Sequence, residues 1–440
     1  MTTDRISIAL AQLDCAEGAV TANLDRVRTA RAEAAARGAD LVLCPEWTAS
    51  GPPPDGGFAP ALLDAVEEGV RALAAETADG GPALLIGAPW RQDGRTHGGL
   101  VLLDGGAVAT LRFRHHRPEG APFVAGPVPG PMSVRGVRLG VMAGADLESL
   151  DVAETLAESG AEILAVLDAE PFAPGGHDRR VQAAVVRVIE CGLPLVRVNP
   201  AGGQGRRVFE GASFAIGADR SLRVQATAFE EHLVLTRWER DDDAWICAEG
   251  ERIAPTEGAE ALYRALTLRL AGHANKNGFA GAVVPLNGGL DGALSAALAV
   301  DALGAERVRV LLLPGPDSAA DRLDDAVETA ELLGCRCDRV AIEPALRAFD
   351  SMLAPIIAGG DADALDTGLR ARVRAVTLAT LAEGMAALAV TPADPPPGGF
   401  AAFAGVDAAA VRDLVRWRNA HSAPGLRGPA GRVVPARVGG

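Results

Sequence analysis

The chain is poor in aromatic residues and has no excess of positive charge. One tyrosine, five tryptophans and eleven phenylalanines make up 4% of its 440 residues. Lysine and arginine together number 42 against 57 aspartates and glutamates, a formal net charge of −15. A surface of that sign repels phosphate backbones and anionic lipid, which argues against nucleic-acid and membrane partners. It sets no limit on a nucleotide held locally. No Cys-x-x-Cys pair is present. The six cysteines (Cys15, Cys44, Cys191, Cys247, Cys335 and Cys337) are scattered, and Cys335-Arg336-Cys337 has the wrong spacing for a common zinc site. Reduced thiols are expected. No apolar run reaches about 18 residues, and the opening MTTDRISIALAQLD lacks the apolar core of a signal peptide. These absences together lead to the expectation of a soluble, cytoplasmic protein.

Against these absences, 48% of the residues are apolar, enough for the cores of two or three domains. Short apolar runs alternate with helical patterns from the start. RISIALAQLD and LVLCPEW read as buried strands on either side of the helix TANLDRVRTARAEAAARGAD, with Gly38 near its end. GGLVLLDGGAVATLRFRHH reads as a hairpin turning at Asp104-Gly105-Gly106. RLGVMAGAD, EILAVLDAEP and LPLVRVN read as further buried strands between helices. Strands apolar on both faces imply an α/β domain over residues 1–240. Residues 241–257 are charged and irregular and read as a linker, with Asp241-Asp242-Asp243 as a solvated loop. A second α/β unit spans 258–420, with the strand order of a doubly wound parallel sheet. Residues 421–440, rich in Pro, Gly and Arg, read as a loosely ordered tail.

The stretch VVPLNGGLDG opens the second unit's chemistry. An apolar run ends in a double glycine and an aspartate, followed by the helical ALSAALAVDALGA. A strand, tight turn and helix N-terminus can cradle phosphate with backbone N–H groups. Asn287, Gly288, Gly289, Asp291 and Gly292 are therefore candidate nucleotide-binding residues. The alternative is that Gly288-Gly289 only make the turn and Asp291 only begins the helix. His115-His116 with His97 could suggest a metal, but adjacent histidines in a strand face opposite sides, so no metal site is assigned. Lys276-Asn277-Gly278 reads as a helix end and turn.

Long phrases of the sequence carry a family resemblance. ADLVLCPEW, RLGVMAGAD, CGLPLVRVNPAGGQ, VFEGASF and AFEEHLVL resemble the nitrilase-like glutaminase domain of glutamine-dependent NAD synthetases. EALYRAL, the run from Lys276 to Val308, and GGFAAF with VRWRN resemble the synthetase domain that follows it. The resemblance implies an α/β chain, with an N-terminal αββα sandwich followed by a doubly wound, Rossmann-like parallel sheet of the adenine nucleotide α-hydrolase type. It implies hydrolysis of glutamine in the first domain. In the second it implies ATP- and magnesium-dependent amidation of nicotinic acid adenine dinucleotide.

Matched residue by residue, both centres depart from the family pattern. The family's base falls on Glu46, its lysine on Arg114 and its cysteine nucleophile on Gly144. Glycine offers no nucleophile, and arginine alters reach and geometry. Glu46 is expected to be buried and paired with Arg114. The glutamine-recognition positions fall on Gly205-Arg206-Arg207, Glu170 and Gly120. In the second domain the family's Ser-Gly-Gly-x-Asp-Ser loop has become Asn287 to Gly292, without its serines. VTPADPPPGGF runs almost directly to Gly398-Gly399-Phe400, omitting a segment with a lysine and a glutamate. A further family lysine falls on Ala404, the loop GPDSAAD replaces a Ser- and Tyr-rich one, and the end is shorter.

Three functions follow. The chain is a catalytically impaired scaffold or regulatory subunit, as a homo-oligomer or with an active NAD synthetase. It is a nucleotide-binding sensor. Or it is a residual or altered NAD synthetase. The helices ALYRALTLRLAG and LDGALSAALAVDAL are the candidate contact surfaces, or else simply core.

Overall fold

The computed structural model describes residues 4–53, 56–242, 244–315, 318–353, 355–356, 362–422 and 424–439. The chain divides into two compact units, Met1–Thr256 and Glu257–Gly440. No helix among the described residues is long and apolar enough to cross a membrane.

The first unit is built on two sheets. One has seven strands, in the order Ala244–Cys247, His232–Asp241, Arg5–Gln12, Leu41–Leu43, Ala83–Gln92, Arg95–Asp104 and Ala107–Phe113. The other has six: Leu222–Gln225, Phe214–Ile216, Leu195–Val198, Ile163–Leu167, Val137–Ala143 and Met132–Val134. Side chains alternate across each strand. Ile6, Ile8 and Leu10 of the first sheet share a core with Leu139, Val141, Ile163 and Leu167 of the second. The opposite faces are covered by helices. Ala9, Val42, Leu84 and Ile86 pack under Val20–Ala36 and Pro60–Glu76. Met142, Leu164 and Val166 pack under Leu150–Glu158 and Gly176–Cys191. The layers are therefore αββα. The hairpin turns where the sequence places it, with φ of +60° at Gly105 and +87° at Gly106. Two consecutive positive φ values suit the right-handed twist of the flanking strands.

The second unit is a five-stranded sheet, in the order Arg336–Arg339, Val308–Leu312, Ala282–Leu286, Leu388–Thr391 and Phe400–Ala401. All its pairings are parallel. The order reverses beside Ala282–Leu286, the place where ligands bind in doubly wound sheets. Helix Leu290–Leu303 is buried from Gly292 to Leu303. It is therefore core and not a contact surface. Helix Gly258–Lys276 buries Ala261, Tyr263, Leu266, Leu270 and Ala274 against it.

Two segments differ from the sequence reading. Residues 241–257 do not form a plain linker: Ala244–Cys247 adds an edge strand pairing Trp238 with Cys247 and Asp241 with Ala244. Trp245 and Cys247 are buried. The segment alternates apolar Trp245 and Cys247 with exposed neighbours, and the preceding acidic run hides that signal; Asp243 of that run lies outside the described residues. The tail is not loose either. Val433 and Val434 are buried, their backbone N–H groups donate to Asn419 Oδ1 at 2.9 and 3.0 Å, and Ala436–Gly439 is helical.

Candidate functional site

In the first unit, Glu46 lies just beyond strand Leu41–Leu43, and Arg114 just beyond strand Ala107–Phe113. Arg114 Nη1 donates to Glu46 Oε1 at 2.8 Å and Oε2 at 3.1 Å, and both side chains are buried. Arg114 Nε donates to the carbonyl of His116 at 2.7 Å. Burial pushes the Glu46 carboxyl up to about 7, with Arg114 pulling it down and Asp168 and Asp146 adding to the rise. Trp47, the next residue, has a φ of +63°, costly for a bulky side chain. Its ring is wedged between Phe58 and Phe123, with centroids 5.6 and 5.0 Å away. Backbone strain of this kind concentrates at reaction centres, and no sequence pattern reports it.

Gly144 sits at the end of strand Val137–Ala143. The space a side chain would need there is taken. A Cβ built on Gly144 would lie 2.0 Å from Asp168 Oδ1. That carboxylate is held firmly: Oδ1 accepts from Ala169 N at 2.9 Å, and Oδ2 accepts from Arg197 Nε at 2.8 Å and Nη2 at 2.5 Å. Arg197 Nη2 also reaches Glu170 Oε2 at 2.7 Å. Asp168 and Arg197 are buried, while Glu170 is part-exposed. Beside Glu46 the remaining cavity measures about 10 Å3, room for roughly one water. The chain's one lysine, Lys276, lies in the second unit. Neither Asp168 nor Arg197 stands out in the sequence, because one directly follows an apolar strand and the other lies within one, and both strands read only as core.

The other positions singled out in this unit are peripheral to that cluster. Gly205 and Arg206 form the turn between strands Ala201–Gln204 and Arg207–Glu210, and Arg207 Nη2 donates to the carbonyl of Pro53 at 2.9 Å. Gly120 makes a turn with φ +74°. Asp146, next to Gly144 in the same motif, is fully buried and accepts from the backbone N–H of Ala143, His115 and His116. This corrects the reading of the histidines. The strand ends at Phe113, so His115 and His116 lie in a loop, not on opposite faces of a strand. Their rings meet edge to face at 4.9 Å. His97 is elsewhere, stacked on Phe113 at 4.4 Å.

In the second unit, Asn287, Gly289, Asp291 and Gly292 line an open cavity of about 760 Å3 at the C-terminal end of the sheet, where the strand order reverses. Its other walls include Arg322, Arg374, Thr391 and Asp394. Gly288 has φ +72°, and a Cβ there would meet the carbonyl oxygen of Arg322 at 2.0 Å, so only glycine fits. Gly289 caps helix Leu290–Leu303, whose first-turn N–H groups point towards the cavity. Asn287 Oδ1 accepts from Gly289 N at 3.0 Å and so already occupies one donor of the cradle. At Gly292 the nearest atom to an added Cβ is Leu286 Cδ2, at 3.2 Å, so a small side chain needs only a slight shift. The short Pro-rich connection after Leu388–Thr391, which leads straight into Phe400–Ala401, supplies Pro392, Asp394 and Pro396 to the lining. Ala404 is exposed.

Comparison with known proteins bears on both centres. The carbon-nitrogen hydrolase family model matches residues 7–242, and the NAD synthase model matches residues 262–394. The glutamine-dependent NAD(+) synthetase of Rhodobacter capsulatus is 36% identical over 456 residues, spanning 99% of this chain and 82% of that protein. The Xanthomonas campestris pv. campestris protein of the same name is 31% identical, over 95% of this chain and 80% of its own. A solved structure, the Acinetobacter baumannii glutamine-dependent NAD+ synthetase in complex with adenosine diphosphate, superimposes with a TM-score of 0.90. It is 25% identical, over 99% of this chain and 84% of that one.

Proposed function

For a chain that belongs to the glutamine-dependent NAD(+) synthetase family, we propose a division of fates: the amide-hydrolysing centre is silent, while the synthetase unit still binds an adenine nucleotide. One observation carries the first half. The atom that a nucleophile at position 144 would need as its neighbour space is occupied by the Asp168 carboxylate, itself locked to Arg197. Amide hydrolysis needs a nucleophile, a base and a cation on the oxyanion. Here the base and the cation positions are bonded to each other as a buried Glu46–Arg114 pair. Loss of a nucleophile from a comparable unit costs on the order of a millionfold in rate.

The second half rests on the cavity at Asn287 to Gly292, whose volume suits a nucleotide and whose floor is a helix N-terminus. The adenosine diphosphate bound by the Acinetobacter relative gives the ligand class. With no lysine at the cavity and one cradle donor held by Asn287, amidation of a dinucleotide is not part of this reading.

A scaffold or regulatory role follows from the same reading, through association with a second copy or with an active synthetase. Four large apolar side chains of the second unit support it: Phe349, Met352, Ile356 and Val376 are 42%, 66%, 81% and 66% exposed. The test is made on the full chain. Calorimetric titration with Mg-ATP is expected to show binding that Gly288→Ala abolishes, and glutamate release from glutamine is expected at the buffer rate. Glutamate release lost in Glu46→Gln would overturn the first half. Absence of any nucleotide binding would overturn the second, and nucleotide-dependent pyrophosphate release would return the chain to the synthetases.

A further inference from the structure

His115, His116 and Asp151 converge at the edge of the first unit. Among the described residues they are the one group of three His, Cys, Asp or Glu side chains whose donor atoms all lie within 4.8 Å of one another. The two histidines come from the loop after strand Ala107–Phe113, and Asp151 from the first turn of helix Leu150–Glu158. His116 Nε2 lies 3.1 Å from Asp151 Oδ1, and His115 Nε2 lies 3.8 Å from Asp151 Oδ2. Donors bound at about 2.0–2.1 Å around a tetrahedral ion sit roughly 3.3 Å apart, so the set needs only small side-chain movements to close on one.

We propose that His115 Nε2, His116 Nε2 and a carboxylate oxygen of Asp151 form a binding site for one borderline divalent transition ion of the zinc class, tying the loop after Arg114 to the helix that follows Gly144.

The outer contacts favour an ion over a bare ion pair. His115 Nδ1 lies 2.9 Å from the carbonyl of Gly126. A carbonyl only accepts, so Nδ1 carries the proton and the lone pair is left on Nε2, facing Asp151. The loop is fixed from behind, because buried Asp146 accepts from the N–H of both His115 and His116. Asp151 is fixed too, accepting from Ser149 Oγ and from Val152 N at 2.9 Å. His116 Nε2 faces Asp151 Oδ1, and for Nε2 to ligate the ion the ring proton moves to Nδ1, the tautomer that His115 already holds. The side chains are 27%, 36% and 52% exposed, which leaves an entry path and positions for water. Two imidazoles and a carboxylate select zinc, cobalt or nickel over magnesium or calcium.

The test titrates the chelator-treated full chain with Co2+, read by its ligand-field absorbance, and with Zn2+ against a chromophoric competitor. One ion per chain is expected. His116→Ala and Asp151→Asn should each weaken binding by about 10- to 100-fold, while His97→Ala leaves it unchanged. Asp151→Asn is isosteric and exposed, and its melting curve in chelator, matched to the parent, separates lost ligation from lost folding. Less than one ion per chain, or binding equally tight in both variants, would overturn the proposal and place any ion elsewhere, such as at the exposed Cys337.

Discussion

Gly144→Cys puts the filled centre to a direct test. A thiol there restores the one atom type that amide hydrolysis by this fold requires. The new Cβ would lie 2.0 Å from Asp168 Oδ1 and 2.9 Å from its Cγ, against about 3.5 Å for a relaxed contact. Asp168 must therefore move by roughly 1.5 Å or more. It cannot do so without stretching its two bonds from Arg197 and its bond from Ala169 N. Overpacking by itself costs about 1–3 kcal/mol. Prising apart a buried carboxylate–guanidinium pair costs about 3–5 kcal/mol. Gly144→Cys should thus lose on the order of 3 kcal/mol in urea unfolding and release no glutamate from glutamine. Adding Asp168→Ala and Arg197→Met removes the obstruction together with both charges. It should recover most of the stability and expose the thiol to alkylation. Parent-like stability in the single variant, or glutamine turnover by it, would show that the Asp168–Arg197 pair does not block the position.

Two further expectations follow from the buried charges. Because Glu46 is held protonated up to about 7 in the folded chain, against about 4.5 when unfolded, the folded state binds the extra proton across that window. Stability should fall as pH rises from about 4.5 to 7, by up to about 3 kcal/mol, and this slope should be missing in Glu46→Gln. Equal slopes of urea-unfolding free energy against pH in the two proteins would refute the assignment. In the second unit, Asp301 accepts from Arg418 Nε at 2.6 Å and Nη2 at 3.0 Å and from Tyr263 Oη at 2.5 Å, all buried. Asp301→Ala strands the guanidinium and should cost about 3–5 kcal/mol, lowering the second unit's melting by roughly 10 °C; an unshifted calorimetric transition would contradict it.

The sequence by itself determined the α/β class and the positions of the motifs, and the layer architecture came only through the family those motifs resemble. Apolar runs such as LVLCPEW and RLGVMAGAD fix buried strands, and double glycines such as Gly105-Gly106 and Gly288-Gly289 fix turns, because both signals are local in the chain. It also located Glu46, Arg114, Gly144 and the loop from Asn287 to Gly292. The tertiary structure alone decided what surrounds them. Asp168 and Arg197 lie 24 and 53 residues beyond Gly144, one just past a strand and the other within the next, so no local pattern announces that their charges meet in the space of a missing side chain. The same holds for Asp151 under His115 and His116, and for Val433 and Val434 completing a core from what reads as a polar tail. Local propensity travels along the chain. Charge pairing, exclusion of volume and burial are properties of residues that the fold brings together, and they exist only once it has formed.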